Sequence, residues 1–455
     1  MLKKNLSYLS ILFSIIVIVW VNHNFSFWKD KKKVIEWDVI SYYSYLPAFF
    51  VYHDLELKFH TYKEEDKYIM WPTTLPSGKK VIKTTMGLSF LYMPFFLIAH
   101  LYSILTGLPP TGYTSIYKYV LIWGTIFYLL IGLLVLRKIL INYFSEQTTA
   151  IILLSLPLGT NIYFFSTMHP LMPHVYLFTL VNLFVFLTIK WYFNPSVKLS
   201  IPLGILYGLI SLIRPTDAIV IILFLLYNIK SIKDIKQRFY FLITHSKYVA
   251  IIIFFAFLII LPQLLYWKKI TGHFLFYSYG DEGFFWTHPH ILDGLFSYRK
   301  GWLVYTPIMV FAILGFPFLN KYNLKKFLLP FSIFFILNIY IIFSWWCWWY
   351  GGSFGQRALI DSYGILAIPM GAFTEFVLKK LKKVKIFYLI ILLFFISLNL
   401  FNTYQYKRGV LHHDGTTKEL YWKYFGKYKV ERNEEYWKLV DGPDYEKAKK
   451  GEYEE

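Results

Sequence analysis

The feature that most constrains this chain is a succession of apolar runs, each about as long as the hydrocarbon core of a bilayer is thick. A helix needs about 20 mostly apolar residues to cross that core. Only 16% of the side chains are charged and 56% are apolar, whereas a soluble domain carries about 25% charged residues. These proportions exclude an ordinary cytosolic enzyme, a disordered chain and a collagen-like fibre, and they indicate a polytopic membrane protein.

The apolar runs predict an all-α polytopic membrane protein with about 11 transmembrane helices. The run at 201–229 is interrupted by Arg214-Pro215-Thr216-Asp217. A proline beside two charged residues does not fit a lipid-facing helix, so we expect two short helices in a hairpin there. The runs lie near residues 6–25, 117–136, 149–166, 174–190, 201–229, 248–266, 303–319, 327–346, 358–378 and 386–402.

Basic clusters between the runs predict the orientation. Lys and Arg outnumber Asp and Glu by 47 to 27, and positive charge remains preferentially on the cytoplasmic side. The excess is therefore assigned to topology, and no nucleic-acid partner is expected. Lys3 and Lys4 predict a cytoplasmic N-terminus before an uncleaved first helix. The later clusters face the cytoplasm if residues 88–105 form a surface helix rather than a crossing, although residues 29–33 then place lysines outside.

This topology divides the chain into a transmembrane domain at 1–403 and a small extracytoplasmic tail at 404–455. The first extracytoplasmic loop, 27–115, is expected to contain interfacial helices. Shorter outer loops lie around His169, at 267–302 and at 345–357. The single cysteine, Cys347, excludes an intrachain disulfide and a Cys-based zinc site. Function is expected where the outer loops meet the membrane.

Asp38 is the first candidate site residue. It lies between Glu36 and an aromatic segment containing Tyr42 that suits an interfacial helix. Asp38 is either the N-cap of this helix or a catalytic carboxylate that accepts a proton from an acceptor group. Considered as residue chemistry alone, the cap is the favoured interpretation.

Two histidines and an internal ion pair are the next candidates. His169 and His174 flank a proline-shaped turn, where they serve either as ligands and acid–base groups or as interfacial side chains. Their spacing matches no established zinc pattern, so no metal site is assigned. Arg214 and Asp217 either mark function inside the membrane or simply neutralise each other, with pairing slightly favoured.

Several cations accompany these groups on the predicted outer face. Arg357 follows a glycine-containing segment. It either binds phosphate through two hydrogen bonds or extends its charged group from the apolar region to the membrane interface. One carboxylate, two histidines and several cations fit an enzyme that handles a lipid phosphate. The carboxylate would act as base and the cations would stabilise the departing phosphate. The candidate phosphate-binding residues are Arg357, Lys83, Arg299 and Lys300.

Four blocks resemble the integral-membrane glycosyltransferases of the C-type fold, a superfamily that includes protein O-mannosyltransferases and aminoarabinose transferases. The similarity extends through most of the chain, and its last two blocks look most like an uncharacterised bacterial branch. The blocks are Trp37-Asp38, the Leu88-Ser89-Phe90-Leu91-Tyr92-Met93-Pro94 helix, the Gly294–Gly301 block and the Gly351–Arg357 block.

The resemblance implies transfer of a sugar from a polyprenyl-phosphate donor to an extracytoplasmic acceptor, usually with inversion, in the bacterial inner membrane. It implies that Asp38 is the base, which reverses the preference for a cap. Val39 stands where many relatives have Glu, so the acceptor contacts are expected to differ. His169 and His174 stand where some relatives have an acidic motif, which weakens the case for metal dependence, although a divalent cation is left open as a cofactor. The expected substrate-binding residues are His169, His174, Glu36, Tyr42 and Arg214, and membrane lipid is an expected partner.

A transporter or flippase for a lipid-linked sugar or anionic solute is the alternative. It is motivated by Arg214 and Asp217 in a broken hairpin, because discontinuous helices often line transport sites. The absence of a recognisable inverted repeat counts against it.

Overall fold

A computed structural model of the chain describes residues 5–59, 72–381 and 383–452. Within these ranges most residues are helical, and the strands are one short antiparallel pair, β1 (Pro72–Thr74) and β2 (Lys80–Ile82). The first ten α-helices are α1 (Leu6–Phe25), α2 (Asp38–Phe50), α3 (Gly87–Leu105), α4 (Ser115–Leu140), α5 (Glu146–Gly159), α6 (Ile162–Thr167), α7 (Pro173–Phe193), α8 (Val197–Ile213), α9 (Ile221–Leu225) and α10 (Ile232–Thr244).

The second part of the described chain is also helical. Short 3-10 helices at Phe27–Lys29, Pro215–Val220, Pro307–Met309, Phe316–Asn320 and Arg357–Ser362 connect several α-helices. The remaining α-helices are α11 (Ser246–Thr271), α12 (Ile291–Phe296), α13 (Trp302–Tyr305), α14 (Val310–Ile313), α15 (Lys325–Ser344), α16 (Tyr363–Lys380), α17 (Lys385–Lys407), α18 (Lys418–Lys423), α19 (Glu434–Trp437) and α20 (Tyr445–Lys449).

Seven helices of the described chain are long and apolar enough to cross a membrane. This agrees with the prediction of an all-α membrane protein. The seven are α1, α3, α4, α7, α11, α15 and α17, and shorter apolar segments occur at Val197–Ile213, Pro215–Leu225 and Pro307–Asn320. Helix α3 was predicted to lie on the surface; by length and composition it qualifies as a span as well.

The run at 201–229 is broken where the sequence predicts. Helix α8 ends at Ile213, Arg214 is extended, and Pro215 begins the following 3-10 helix. Proline favours the first position of a helix because it has no N–H group to be left unpaired there. Two short helical segments therefore meet at Arg214.

Contacts between helix termini define two ends of the bundle. At one end, Ser7 of α1 accepts a 2.6 Å hydrogen bond from Arg137 Nε and donates one of 2.6 Å to Glu146. At the other, Asn22 of α1 donates to the Ser166 carbonyl at 2.8 Å, and Lys118 of α4 donates to the Asp30 carbonyl at 2.7 Å. We call the second the site end, because it carries the candidate residues, and the first the opposite end.

Helices α8 and α11 make the most extensive helix–helix contact of the described chain, and α8 presents glycines to its neighbour there. A Cβ atom on Gly204 would lie 2.4 Å from the Ile252 carbonyl oxygen, and one on Gly208 would lie 2.8 Å from that of Ala256. Small residues four apart allow such backbone approach between membrane helices. This contact holds the end of α8, and with it Arg214, in a fixed place.

Candidate active site

Asp38 lies at the first turn of α2 and is not its N-cap. The N-cap is Trp37, which makes no side-chain capping hydrogen bond. The backbone of Trp37 has a φ of 51°, a region that L side chains other than Asn and Asp rarely adopt and that costs roughly 1–3 kcal/mol. The strained residue directly precedes Asp38 in the chain.

Asp38 and Arg357 form the central pair of the site. Arg357 Nη2 donates to Asp38 Oδ2 at 2.9 Å, although 319 positions separate the two residues. The Asp38 side chain is 49% exposed and that of Arg357 is 17% exposed. The predicted base and the predicted phosphate ligand are thus neighbours, and the carboxylate remains open to a substrate.

A second, buried layer of charge lies beneath this pair. Arg214 Nη1 donates to Asp361 Oδ2 at 2.5 Å and lies 3.9 Å from Asp217 Oδ1. His174 Nδ1 is 3.2 Å from the other oxygen of Asp361. All four side chains are at least nine-tenths buried. The predicted Arg214–Asp217 pairing exists, but the closer partner is Asp361, which sequence reasoning missed.

Tyr350 connects the two layers. Its ring lies 5.8 Å from the Arg214 guanidinium and 6.0 Å from that of Arg357. Tyr350 also has a positive φ of 58° and precedes Gly351, whose φ is 64°. Backbone strain clusters where a side chain must be held for function, and here it places one aromatic ring between two arginines.

His169 and Glu36 extend the site on the other side of Asp38. His169 Nδ1 lies 3.9 Å from Glu36 Oε1, and Glu36 also pairs with Lys33 at 3.3 Å. Burial, assisted by Lys33 and Arg357, lowers the pKa of His169 to about 3. Burial raises the pKa of Glu36. His169 is therefore neutral at pH 7 and able to donate or accept a hydrogen bond.

Tyr42 and Lys83 line the same region. The Tyr42 side chain is buried, and burial together with the charges of Tyr279 and Asp38 raises the pKa of its hydroxyl. Lys83 donates to the Glu282 carboxylate and lies 5.1 Å from the Tyr279 ring. Lys83 is thus close to the site but already has an acidic partner.

Arg299 and Lys300 contact the tail rather than Asp38. Lys300 is buried and donates to the carbonyls of Ser353 and His413. Burial lowers the pKa of Lys300 to about 7. Arg299 pairs with Asp441 at 2.8 Å. Both cations were predicted to bind the donor phosphate. In the structure they connect the loop at 267–302 to the tail.

The described residues contain no cluster of three or more His, Cys, Asp and Glu side chains that could hold a metal ion. The acidic groups of the site are instead matched to basic ones: Asp38 to Arg357, Asp361 to Arg214, and Glu36 to Lys33.

A comparison with known protein families finds no family that matches the chain, and a comparison with curated protein sequences finds no match either. The resemblance to C-type glycosyltransferases therefore depends on the sequence blocks quoted above. Asp361, Tyr279 and Tyr350 lie outside or between those blocks. An acidic residue inside an apolar run was the available signal for Asp361.

Proposed function

We propose that this chain is a membrane glycosyltransferase that moves a sugar from a polyprenyl-phosphate donor to an extracytoplasmic acceptor. The observation that carries the proposal is the Asp38–Arg357 pair, in which a half-exposed carboxylate lies 2.9 Å from a guanidinium. A base for the acceptor and a cation for a phosphate leaving group are the two elements that such a transfer needs.

The proposed reaction is a single displacement at the anomeric carbon. Asp38 accepts the proton of the acceptor hydroxyl or amine as that atom forms its bond to the sugar. The bond between the anomeric carbon and the phosphate oxygen breaks, its electrons remain on the oxygen, and polyprenyl phosphate leaves. Arg357 turns from Asp38 toward the phosphate and stabilises its developing charge. The outcome is inversion of the anomeric centre.

The buried layer serves to position the reacting pair. Asp361 follows Arg357 in the same 3-10 helix, Arg357–Ser362, and its two oxygens contact Arg214 and His174. This arrangement anchors the helix that presents Arg357. Arg214 and His174 therefore act through Arg357, whereas Glu36, Tyr42 and His169 border the space beside Asp38 and are proposed to contact the substrate.

We infer eleven crossings for this architecture. Four shorter segments are counted as crossings because each connects the two ends of the bundle: the α5–α6 pair, α8, Pro215–Leu225 and the segment at 302–320.

The contacts of α3 argue against a crossing by this helix. Just before α3, the Met86 N–H donates to Gln263 of α11 at 2.8 Å and the Thr85 hydroxyl donates to the Leu212 carbonyl of α8. Within α3, His100 Nδ1 lies 2.6 Å from the Tyr117 hydroxyl of α4. All three contacts lie in the half of the bundle that includes the site end. The inferred crossings are α1, α4, α5–α6, α7, α8, Pro215–Leu225, α11, 302–320, α15, α16 and α17.

The distribution of charge supports the orientation. Arg137, Lys190, Lys230, Lys326 and Lys379 lie at the opposite end, next to turns between helices. We assign that end to the cytoplasm by the positive-inside rule. The site end, the tail and the N-terminal part of α2 then lie outside, in a plasma membrane.

The test uses the full chain purified in detergent with a panel of polyprenyl-phosphate sugars. Release of polyprenyl phosphate is measured for the wild type, for Asp38→Asn and for Asp30→Asn. Asp30 lies in the same loop and loses the same charge, so it is the matched control. Release by wild type and Asp30→Asn, with none by Asp38→Asn, supports the proposal. Equal release by all three would contradict the role of Asp38.

A transporter for a lipid-linked sugar or anionic solute is the second candidate, favoured by the break at Arg214. It requires access to Arg214 from both sides of the membrane. Labelling of Asp217→Cys, in a Cys347→Ser background, by a membrane-impermeant reagent tests this. Labelling from both sides would support transport, and labelling from the site end alone would exclude it.

A further inference from the structure

A cavity of about 1080 Å³ lies at the opposite end of the bundle, far from Asp38. It is bounded by the last turn of α7, the turn before α10, helix α10 itself and the start of α15. Four of its lining residues are basic and one, Asp234, is acidic. The basic residues are Lys190, Lys230, Arg238 and Lys326.

The carboxylate of Asp234 accepts its hydrogen bonds from backbone N–H groups. Asp234 accepts hydrogen bonds from the Lys230 N–H at 2.7 Å and from the Ser231 N–H at 2.9 Å, which caps the start of α10. Its single negative charge offsets at most one of the four positive charges that line the cavity. Four cations against one committed carboxylate give the cavity a strong positive potential, and a low-dielectric wall increases its effect on an anion.

Aromatic rings hold three of these cations in place. The Arg238 guanidinium lies 3.9 Å from the Tyr192 ring, and its Nε is buried without a hydrogen-bond acceptor in the described structure. The ammonium groups of Lys190 and Lys326 lie 4.5 Å and 4.8 Å from the rings of Phe186 and Tyr143. Ring contacts orient a cation without neutralising its charge.

Helix α10 places this cavity at the membrane surface. Ile235, Phe239, Tyr240 and Ile243 are each at least 50% exposed along one face. Arg238 and Phe241, on the other face, line the cavity. An amphipathic helix with exposed apolar residues on one side lies in the interface of a bilayer. The cavity is therefore at the depth of lipid headgroups.

We propose that this cavity binds the phosphate group of an anionic phospholipid, with Lys230, Arg238 and Lys326 as its ligands. The acyl chains would leave the cavity beside α10, along its exposed apolar face. Convergence of cations from four separate segments distinguishes this site from the scattered positive charge that only sets orientation. The proposal does not depend on the glycosyltransferase assignment.

The test measures lipid binding to the full chain in detergent by native mass spectrometry. Phosphatidylglycerol is titrated beside phosphatidylcholine with the same acyl chains, and inorganic phosphate is added as a competitor. The variant is Lys230→Gln with Lys326→Gln. The control, Lys233→Gln with Lys236→Gln, removes two charges from α10 that do not line the cavity.

We expect phosphatidylglycerol to bind at least about 10-fold more tightly than phosphatidylcholine, and the cavity variant to lose about 10- to 30-fold of that affinity. The control is expected to lose less than about 3-fold, because its charges act only at a distance. Equal losses in variant and control, equal binding of the two lipids, or equally tight binding of inorganic phosphate would each overturn the proposal. If the double variant unfolds, the single variants Lys230→Gln and Lys326→Gln, with Lys233→Gln as control, decide the matter.

Discussion

The two ends of the bundle carry charge in different ways. At the site end each central cation faces a carboxylate: Arg357 faces Asp38, and Arg214 faces Asp361. At the opposite end four basic side chains share a cavity with one carboxylate that is committed to the backbone. Paired groups are held in defined geometry, which suits a reaction, whereas cations in excess suit binding of an anion.

The difference also predicts where removal of a charge is costly. Removing one partner of a buried pair leaves the other charge uncompensated. Removing one of several like charges leaves nothing unpaired and relieves repulsion. Substitutions at the two ends can therefore be compared directly, because the same type of change should lower stability strongly at the site end and change it little at the opposite end.

The largest stability effect is expected for Arg214→Met. This change leaves Asp361 buried beside His174 without its 2.5 Å partner, at a cost of about 3–5 kcal/mol. The fall in thermal and denaturant stability in detergent measures it. Adding Asp361→Asn should recover part of the loss, since the uncompensated carboxylate is then gone. A double variant as unstable as the sum of the two single variants would show that the pair is not coupled.

The next effect concerns activity rather than stability. Arg357→Gln should lower the rate of sugar transfer by about 10²–10³-fold, because a donor to the developing phosphate charge is lost. Its stability should change little, since Asp38 is 49% exposed and water can solvate it. Arg408→Gln, at an exposed position of the same end, is the matched control. A loss of activity no greater than in that control would remove Arg357 from the mechanism.

A pH dependence is expected from Lys300, which belongs to the site end but contacts carbonyls instead of a carboxylate. Burial lowers its pKa to about 7, so between pH 7 and its ordinary value the unfolded chain binds more protons than the folded one. Stability should therefore rise with pH in this window, by up to about 1.4 kcal/mol per unit. Lys300→Met should show a shallower rise. Parallel profiles of the two proteins would contradict the shift.

A smaller effect is expected at Trp37, where the backbone is strained at a φ of 51°. Trp37→Gly should raise the free energy of unfolding by about 1 kcal/mol, because glycine adopts this conformation without a steric penalty. Sugar transfer should fall at the same time, since Asp38 is then held less rigidly. The two readouts are a melting temperature and a transfer rate. Lower stability combined with full activity would show that the strain has no role in positioning Asp38.

The smallest effect is expected at the opposite end. Lys326→Gln in lipid-free detergent should change the free energy of unfolding by less than about 0.5 kcal/mol, because it breaks no ion pair. Denaturant titration beside Arg214→Met provides the comparison. A loss as large as that of Arg214→Met would remove the distinction between the two ends.

The class of fold was predictable because lipid burial is a property of single segments. Each apolar run can be recognised from about 20 consecutive residues. The break at Pro215 can be predicted because proline interrupts a helix. The site depends instead on pairs of residues that are distant in sequence. The role of Asp38 as base was predicted only from the family resemblance, and Arg357 was a phosphate candidate from its own segment, but their contact over 319 positions was not predicted.

Two parts of the site lay beyond local patterns. An acidic residue inside an apolar run was a local signal for Asp361, but its significance comes from its contacts with Arg214 and His174 on other helices, and these were not predictable. Arg299 and Lys300 were predicted to meet phosphate, yet Asp441 and the His413 carbonyl of the tail engage them. No hydropathy or charge pattern indicates which loop a polar tail will cover.

The position of Arg214 between two carboxylates has a consequence for biogenesis. Asp361 is synthesised 147 residues after Arg214, an interval of roughly 7–30 seconds at typical translation speeds. Asp217 follows Arg214 after only three positions and lies 3.9 Å from it in the finished fold. Asp217 is thus the first carboxylate available to Arg214 during synthesis, and Asp361 becomes available only after the helices between them have been made.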